Sequence, residues 1–320
     1  MELKPSDSIY IAGHTGLIGS GMQRCLAKNG YTNIITATHK ELELTDAVAV
    51  RQFILSKKPD YIVLAAGRVG GIVDNKTYPV DFITTNLAIQ LNILQAAHEA
   101  DVKKLVLYAS SCMYPRECPQ PMAESALLTG VPEPTSMAYA MSKLAGMQMC
   151  LAYNQQYGRK KFIPVIPNSA FGPNDNFNPQ AGHVLSVLLR RFHEAKTTKV
   201  PSITLWGSGS PRREFVYVDD IADATLSLLT RNIDDVELPL NLGLGIDYSI
   251  KELAEKIARV TGYQGVIEWD TSKPDGAPQK LLDSSRLRAF GWTPKIDFDT
   301  GLKETYDWFL QNIAQAGEAT

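Results

Sequence analysis

Apolar and polar positions alternate between two periods along the first half of the chain. SIYIAG (8–13), NIITAT (33–38), DYIVLAA (60–66) and KLVLYAS (104–110) are short runs rich in β-branched and aromatic residues, which predicts strands. Between them lie stretches of helical period: SGMQRCLAKNG (20–30), AVAVRQFILSKK after a capping Asp46, and FITTNLAIQLNILQAAHEA (82–100). A further helix is predicted over MAYAMSKLAGMQMCLAYNQQYG (137–158), followed by a fifth strand and turn in FIPVIPNSAFGP. Near-continuous apolar strands alternating with helices predict a parallel sheet covered on both faces. The second half is less regular, with helices expected over 183–195 and 250–262 and a closing helix ending DWFLQN. The expected architecture is α/β: a Rossmann-type doubly wound parallel sheet over 1–170 and a smaller C-terminal α/β lobe over 171–320 for a substrate. The chain can still return to the first unit from beyond residue 170.

The chain has 320 residues and a formal net charge of −2. It shows no basic stripe for nucleic acid and no apolar run near the ~20 residues of a membrane span. The polar MELKPSDS start, with only a short apolar run after it, leads us to expect a cytoplasmic protein. Its four cysteines have no metal-site spacing, and no metal is expected. Cys25 and Cys150 read as packed thiols and Cys118 as a loop residue. Cys112 lies where an apolar strand gives way to Ser110-Ser111-Cys112, and it needs a different account.

Two motifs carry chemistry. The first strand ends in AGHTGLIG, with Gly13, Gly16 and Gly19 spaced GxxGxxG. Glycines there permit a tight turn and close approach to a pyrophosphate. The helix start at Leu17 and Ile18 offers backbone N–H groups. The second strand ends in His39-Lys40 rather than an acid, which suits the 2′-phosphate of NADP better than the 2′-hydroxyl of NAD. Tyr139 and Lys143 stand four apart on one face of a predicted helix. An ammonium there lowers a phenol pKa and fits the tyrosine for acid–base work. Ser110 and Cys112, two apart on an extended strand end, are expected to face the same side.

Together, GxxGxxG, Ser110 and Tyr139-xxx-Lys143 resemble the extended short-chain dehydrogenase/reductase superfamily. That resemblance implies that Ser110 and Tyr139 flank a reacting carbonyl, that Lys143 also holds the nicotinamide ribose, and that Asn86 supports the site. VGGIVDNKTYPVDFI, SSCMYP, QPMAES, FGPNDNFNP, GHVL, WGSGSPRREF and KPDGAPQKLLD are further similar to the GDP-L-fucose synthase family. The resemblance implies NADPH-dependent C3/C5 epimerisation and C4 reduction of a GDP-linked 4-keto-6-deoxy sugar. It assigns Cys112 and His183 as the epimerising acid/base pair. It places Arg191, Trp206 and Arg213 around the nucleotide-sugar, with Lys280 a candidate of the same kind, and it suggests a homodimer through helices 82–100 and 137–157. Relatives in this family often carry arginines where this chain has Thr15 and His39. Where they read PTNLYGP, this chain reads PNSAFGP, with Ser169 in place of an asparagine. A reductase or epimerase of another GDP-ketosugar, such as a heptose, stays open. So does a non-catalytic nucleotide-sugar or NADP-binding module.

Overall fold

The computed structural model describes residues 3–314. In chain order the first half contains β1 (Ile9–Ala12), α1 (Leu17–Lys28), β2 (Ile34–Ile35), α2 (Ala47–Lys57), β3 (Tyr61–Leu64), α3 (Ile72–Thr77), α4 (Pro79–Glu99), β4 (Lys104–Tyr108), α5 (Met137–Tyr157) and β5 (Phe162–Pro167). The second half contains β6 (Ser169–Phe171), α6 (Val184–Thr197), β7 (Ser202–Trp206), β8 (Arg212–Arg213), β9 (Phe215–Tyr217), α7 (Val218–Thr230), β10 (Leu240–Leu242), β11 (Tyr248–Ser249), α8 (Ile250–Thr261), β12 (Val266–Asp270), β13 (Gln279–Lys280), α9 (Ser285–Ala289) and α10 (Phe298–Phe309).

The main sheet has six parallel strands in the order β10-β5-β4-β3-β1-β2. Its strands are buried on both faces because alternate side chains feed two different cores. Tyr10, Ile62, Leu64, Leu105 and Leu107 pack toward α2, α4 and α5. Ile9, Ile11, Tyr61, Val63, Val106 and Tyr108 pack toward α1 and α7. Each fully buried aliphatic side chain contributes about 1.5–3 kcal/mol, so the two-sided strands are the main stabilising layer. Asp46 caps α2, its carboxylate accepting from the Val48 and Ala49 N–H groups. From β1 the chain goes to β2 on one side and then crosses back over β1 to β3 on the other. This makes a topological switch point and a crevice at the C-terminal ends of the strands.

The chain does return. β10 pairs with β5 and α7 packs on α1, so residues 218–242 belong to the main sheet and not to a lobe running unbroken from 171 to 320. Lys104, at the start of β4, helps to fix this return by donating to the Leu228 and Leu229 carbonyls at the end of α7 at 2.9 and 3.1 Å. Apart from α9, whose Leu287 packs with β10 in the main-sheet core, the remaining second-half elements form a smaller layer. Its ladders are β12-β7, β11-β8-β13 and β6-β9, around a core of Phe171, Phe192, Phe215, Leu253, Ile257 and Phe298. The second strand is shorter than the sequence pattern predicted, and His39-Lys40 falls in a turn after it. The reason is local: Thr38 donates its N–H and its hydroxyl to the Glu41 carboxylate, both at 2.8 Å, and closes the chain on itself.

Candidate active site

The crevice begins at Gly13, directly after β1. Its φ of +86° and its closeness to β3, where a Cβ would stand 2.7 Å from the Ala66 backbone, leave room only for glycine. Gly16 then caps α1 without any side-chain hydrogen bond, and the first turn carries no acidic residue. The N–H groups at Leu17, Ile18 and Gly19 are those that an α-helix leaves without intrahelical partners. A Cβ on Gly16 would meet nothing nearer than the Gly13 carbonyl at 3.6 Å, so the space before the helix is open. Within the same loop, His14 Nδ1 is buried without a hydrogen-bond partner. An open cradle, a helix dipole and an unused buried nitrogen fit a pyrophosphate. At the edge of this cradle His39 and Lys40 are exposed. His39 Nε2 lies 3.2 Å from Glu43.

The strand end at 107–115 supplies the next groups. Ser110 is extended, but Cys112 is not: residues Ser111–Met113 form a single 3-10 turn, and Ser110 Oγ accepts from the Cys112 N–H at 3.2 Å. The expected pairing across an extended strand is therefore replaced by a capped turn, because the serine oxygen satisfies the freed backbone donor. Tyr139 enters from the first turn of α5 and is 8% exposed. Its hydroxyl lies within reach of Ser110. Burial raises the phenol pKa, a Cys112 thiolate would raise it further, and Ser110 opposes both.

Lys143, one turn on and 7% exposed, donates to the Tyr108 carbonyl at 2.9 Å. Burial lowers its pKa to about 8. Sequence spacing predicted that this lysine would lower the tyrosine pKa. In the structure the ammonium lies 5.8 Å from the Tyr139 ring centroid while donating to the backbone of β4, and desolvation outweighs its influence on the neutral phenol. Tyr139 is thus held as a neutral acid. Asn86 and Lys143 both border Gly67, where a Cβ would stand 2.7 Å from Asn86 Oδ1 and 3.5 Å from Lys143 Nζ. Asn86 clamps the loop after β3, accepting from the Arg68 N–H and donating to the Arg68 carbonyl, both at 3.0 Å. Phe82 sits between the Tyr139 ring, 6.0 Å away edge-on, and the Arg68 guanidinium, 5.0 Å from its centroid.

His183 is the N-cap residue of α6, with its side chain 46% exposed and Nδ1 3.9 Å from Asp175 Oδ1. The Asp175 carboxylate raises the imidazole pKa, against a smaller opposing effect of burial. The neighbouring Gly182 carbonyl approaches Gly71, so the His183 turn touches the same loop that Asn86 clamps.

On the lobe side, Arg213 and Lys280 are register partners on β8 and β13. Arg213 donates to the Arg212 and Ala277 carbonyls at 2.7 Å each. Burial lowers its pKa, while a Cys112 charge would raise it, so the thiol lies within electrostatic reach of both Tyr139 and Arg213. A cleft beside the turn is lined by Ser111, Arg116, Gln120, Gln279 and Lys280, among others. Arg191 and Trp206 are not drawn into this cluster. Arg191 donates to the Thr204 carbonyl at 2.7 Å, and Trp206, at the end of β7, is 71% exposed.

Sequence reasoning missed Asp175, Asn168 and Glu214. Glu214 had a signal, a charge at the very start of the apolar run FVYV. Asp175 sits in a polar loop and Asn168 in the break between β5 and β6, and neither had one.

A doubly wound sheet, a phosphate cradle at its switch point and a Ser-Tyr-Lys cluster define a dinucleotide-dependent enzyme class. The NAD dependent epimerase/dehydratase family matches residues 9–243, and the chain belongs to that family. GDP-L-fucose synthase 1 of Arabidopsis thaliana is 49% identical over 310 residues, covering 96% of this chain and 94% of the relative. The solved GDP-L-fucose synthetase of Naegleria fowleri bound to NADP aligns with a TM-score of 0.90 at 31% identity, over 98% of this chain and 96% of that one. A GDP-6-OMe-4-keto-L-xylo-heptose reductase from C. jejuni aligns with a TM-score of 0.92 at 33% identity, over 97% and 99%.

Proposed function

We propose that the chain is an NADPH-dependent epimerase-reductase that converts GDP-4-keto-6-deoxy-D-mannose to GDP-L-fucose. The observation that carries this reading is the place of Cys112. Its N–H donates at 3.2 Å to Ser110 Oγ, the hydroxyl beside Tyr139, and the preceding Ser111 is tied through Asn168 to the strand of Lys280, the register partner of Arg213. A plain reductase needs no such thiol. Further support comes from the 49% identity to a GDP-L-fucose synthase over nearly the whole chain.

A C4 ketone acidifies the C3 and C5 hydrogens of the sugar. In this reading Cys112 and His183 exchange those protons, with Asp175 holding the imidazole. Ser110 and Tyr139 donate hydrogen bonds to the C4 oxygen while negative charge builds there. Bound NADPH supplies a hydride to C4. Tyr139 then gives its proton to the C4 oxygen, and the charged Lys143 favours the phenolate left behind. Arg213 and Lys280 hold the diphosphate, with Arg191 and Trp206 at the outer end of the nucleotide-sugar. Glu41 is turned back on Thr38, which leaves Lys40 to meet a 2′-phosphate and favours NADPH over NADH.

The exposed Val80 and Leu91 of α4 and Met141 and Tyr157 of α5 support a homodimer through these helices. Among the described residues no helix is long and apolar enough to cross a membrane. That agrees with a cytoplasmic setting.

The test is NMR of the product formed in D₂O from GDP-4-keto-6-deoxy-D-mannose and NADPH. GDP-L-fucose carrying deuterium at C3 and C5 is expected. NADPH oxidation with no deuterium at either carbon replaces this reading with a 4-reductase, the activity named for the C. jejuni structure. No NADPH oxidation leaves a binding module.

A further inference from the structure

We infer that Asn168 and Glu214 form a positioning pair that holds the Cys112 turn in register with the strands carrying Arg213 and Lys280. The inference rests on the proposed epimerase reading for its catalytic consequence, though not for its geometry. Asn168 is buried between β5 and β6. Its Oδ1 accepts from the Ser111 hydroxyl at 3.2 Å and from the Ser169 N–H at 3.1 Å. Its Nδ2 donates to Glu214 Oε2 at 2.6 Å and to the Lys280 carbonyl at 3.2 Å. A side-chain amide offers two acceptor sites and two donors, and all four are used. The amide has one orientation, because exchanging its oxygen and nitrogen would break the bonds to the Ser169 N–H, the Glu214 carboxylate and the Lys280 carbonyl.

Glu214 is fully buried. Besides the amide it receives the Leu282 N–H at 3.0 Å and the Gly245 N–H at 2.7 Å. A carboxylate surrounded only by donors is a fixed acceptor, and its burial makes each lost donor expensive. Both ends of the pair touch the chemistry. Ser111 immediately precedes Cys112. Glu214 immediately follows Arg213, and Lys280 is the register partner of Arg213. A scaffold that needed only packing would not place a saturated polar bridge here. This bridge fixes how far the thiol stands from the cations that hold the sugar's diphosphate. A misplacement of about 1 Å at a reacting group costs on the order of 100-fold.

The experiment uses the full chain with NADPH, and two readouts. Asn168→Ala is expected to lower solvent deuterium exchange at C3 and C5 by at least about tenfold at saturating ketosugar, with single-turnover NADPH oxidation within about threefold of wild type. Asn168→Asp keeps the shape but sets a second carboxyl against Glu214. Two such groups share a proton, so exchange relative to wild type should be at least about threefold better at about pH 6 than at about pH 8. Independently of any substrate, alkylation of Cys112 by iodoacetamide should rise about threefold or more in Asn168→Ala while that of Cys118 is unchanged. Exchange and reduction falling together, a flat pH ratio in Asn168→Asp, or unchanged Cys112 alkylation overturns the positioning role. If wild type shows no exchange at all, the epimerase reading fails by itself, and the alkylation ratio still decides the pair.

Discussion

The two halves of the candidate site are built differently. Ser110, Tyr139 and Lys143 stand at the end of a central strand and on the first two turns of α5. Helical hydrogen bonding fixes the backbone of Tyr139 and Lys143, both buried, and Ser110 follows the strand as the cap of the next turn. Cys112 sits in a three-residue turn and His183 at a helix start, partly exposed, and each is steadied by loop residues. The difference follows the chemistry proposed. Reduction delivers one proton to one oxygen along one line, and a rigid frame serves it. Epimerisation must serve two carbons and both faces of a ring, and groups on loops held by polar tethers can reach them. The burial of Tyr139 and Lys143 shifts both away from their ordinary pKa values. The exposed His183 owes its shift to a single carboxylate.

The largest effect should fall on the rigid half. Tyr139→Phe removes the phenol within reach of Ser110, and single-turnover NADPH oxidation should drop about 100-fold to 10,000-fold, the usual range for a lost general acid. Deuterium exchange at C3 and C5 should persist, because Ser110 still faces the C4 oxygen. Equal loss of both steps would erase the contrast between the halves. The mirror experiment is Cys112→Ser. A thiol has a pKa near about 8.5, whereas a serine hydroxyl is essentially un-ionised. Exchange should fall on the order of 100-fold, while the un-epimerised ketosugar is still reduced to a 6-deoxy sugar of unchanged C3 and C5 configuration. Full exchange at both carbons in this variant would return Cys112 to a packing role.

Lys143 gives the rigid half a pH signature. Its native pKa lies at about 8, below the ordinary lysine value of 10.5. It is therefore charged below about pH 8 and loses its proton as the pH rises through that value. For reduction, kcat/KM should fall about tenfold per unit on the alkaline side, with a limb near this pKa. The sign of the linkage also holds for folding. The unfolded chain binds the extra proton between about pH 8 and about pH 10.5, so this group makes the native state relatively more stable as pH rises across that window. In Lys143→Arg the limb should disappear, because a guanidinium stays charged throughout, whatever the variant loses in rate. A limb unchanged in the arginine variant would assign it to another group.

The two halves also differ in how far the sequence displayed them. Alternating apolar runs exposed the sheet, and the GxxGxxG loop and the Tyr139–Lys143 spacing exposed the cradle and the rigid cluster, because each depends on local periodicity. The shortened second strand was hidden, since Thr38 folding onto Glu41 overrides an apolar pattern. The aim of Lys143 was hidden as well. Helical spacing puts it on the face of Tyr139, but the Tyr108 carbonyl that captures it comes from another element. The return of α7 and β10 to the main sheet, and the tethers Asn168, Glu214 and Asp175, are contacts between residues tens to more than a hundred positions apart or within loops. No periodicity encodes these. Ser169 stood out as a departure, yet the amide that bridges the site is its neighbour, Asn168.

The smallest effect sharpens the comparison most, because it touches a single tether of the looser half. Asp175 is buried, with Oδ2 taking the Ser186 hydroxyl and Oδ1 3.9 Å from His183 Nδ1. Its charge raises the His183 pKa. The imidazolium is thereby favoured in the native state. The stabilisation this gives is fully present below the unfolded value of about 6.5 and is lost as pH rises through the higher native one. Asp175→Asn keeps the shape and an acceptor for Ser186 but removes the charge. The His183 midpoint, read from its imidazole NMR signal and assigned by its absence in His183→Gln, should fall toward about 6.5. With less imidazolium available at neutral pH, exchange at the carbon His183 serves should drop a few-fold there and recover as the pH is lowered. NADPH oxidation should not change, because the Tyr139 cluster contains no part of this pair. An unmoved midpoint would show that Asp175 only anchors Ser186. A fall in reduction equal to the fall in exchange would show that the two halves are one unit.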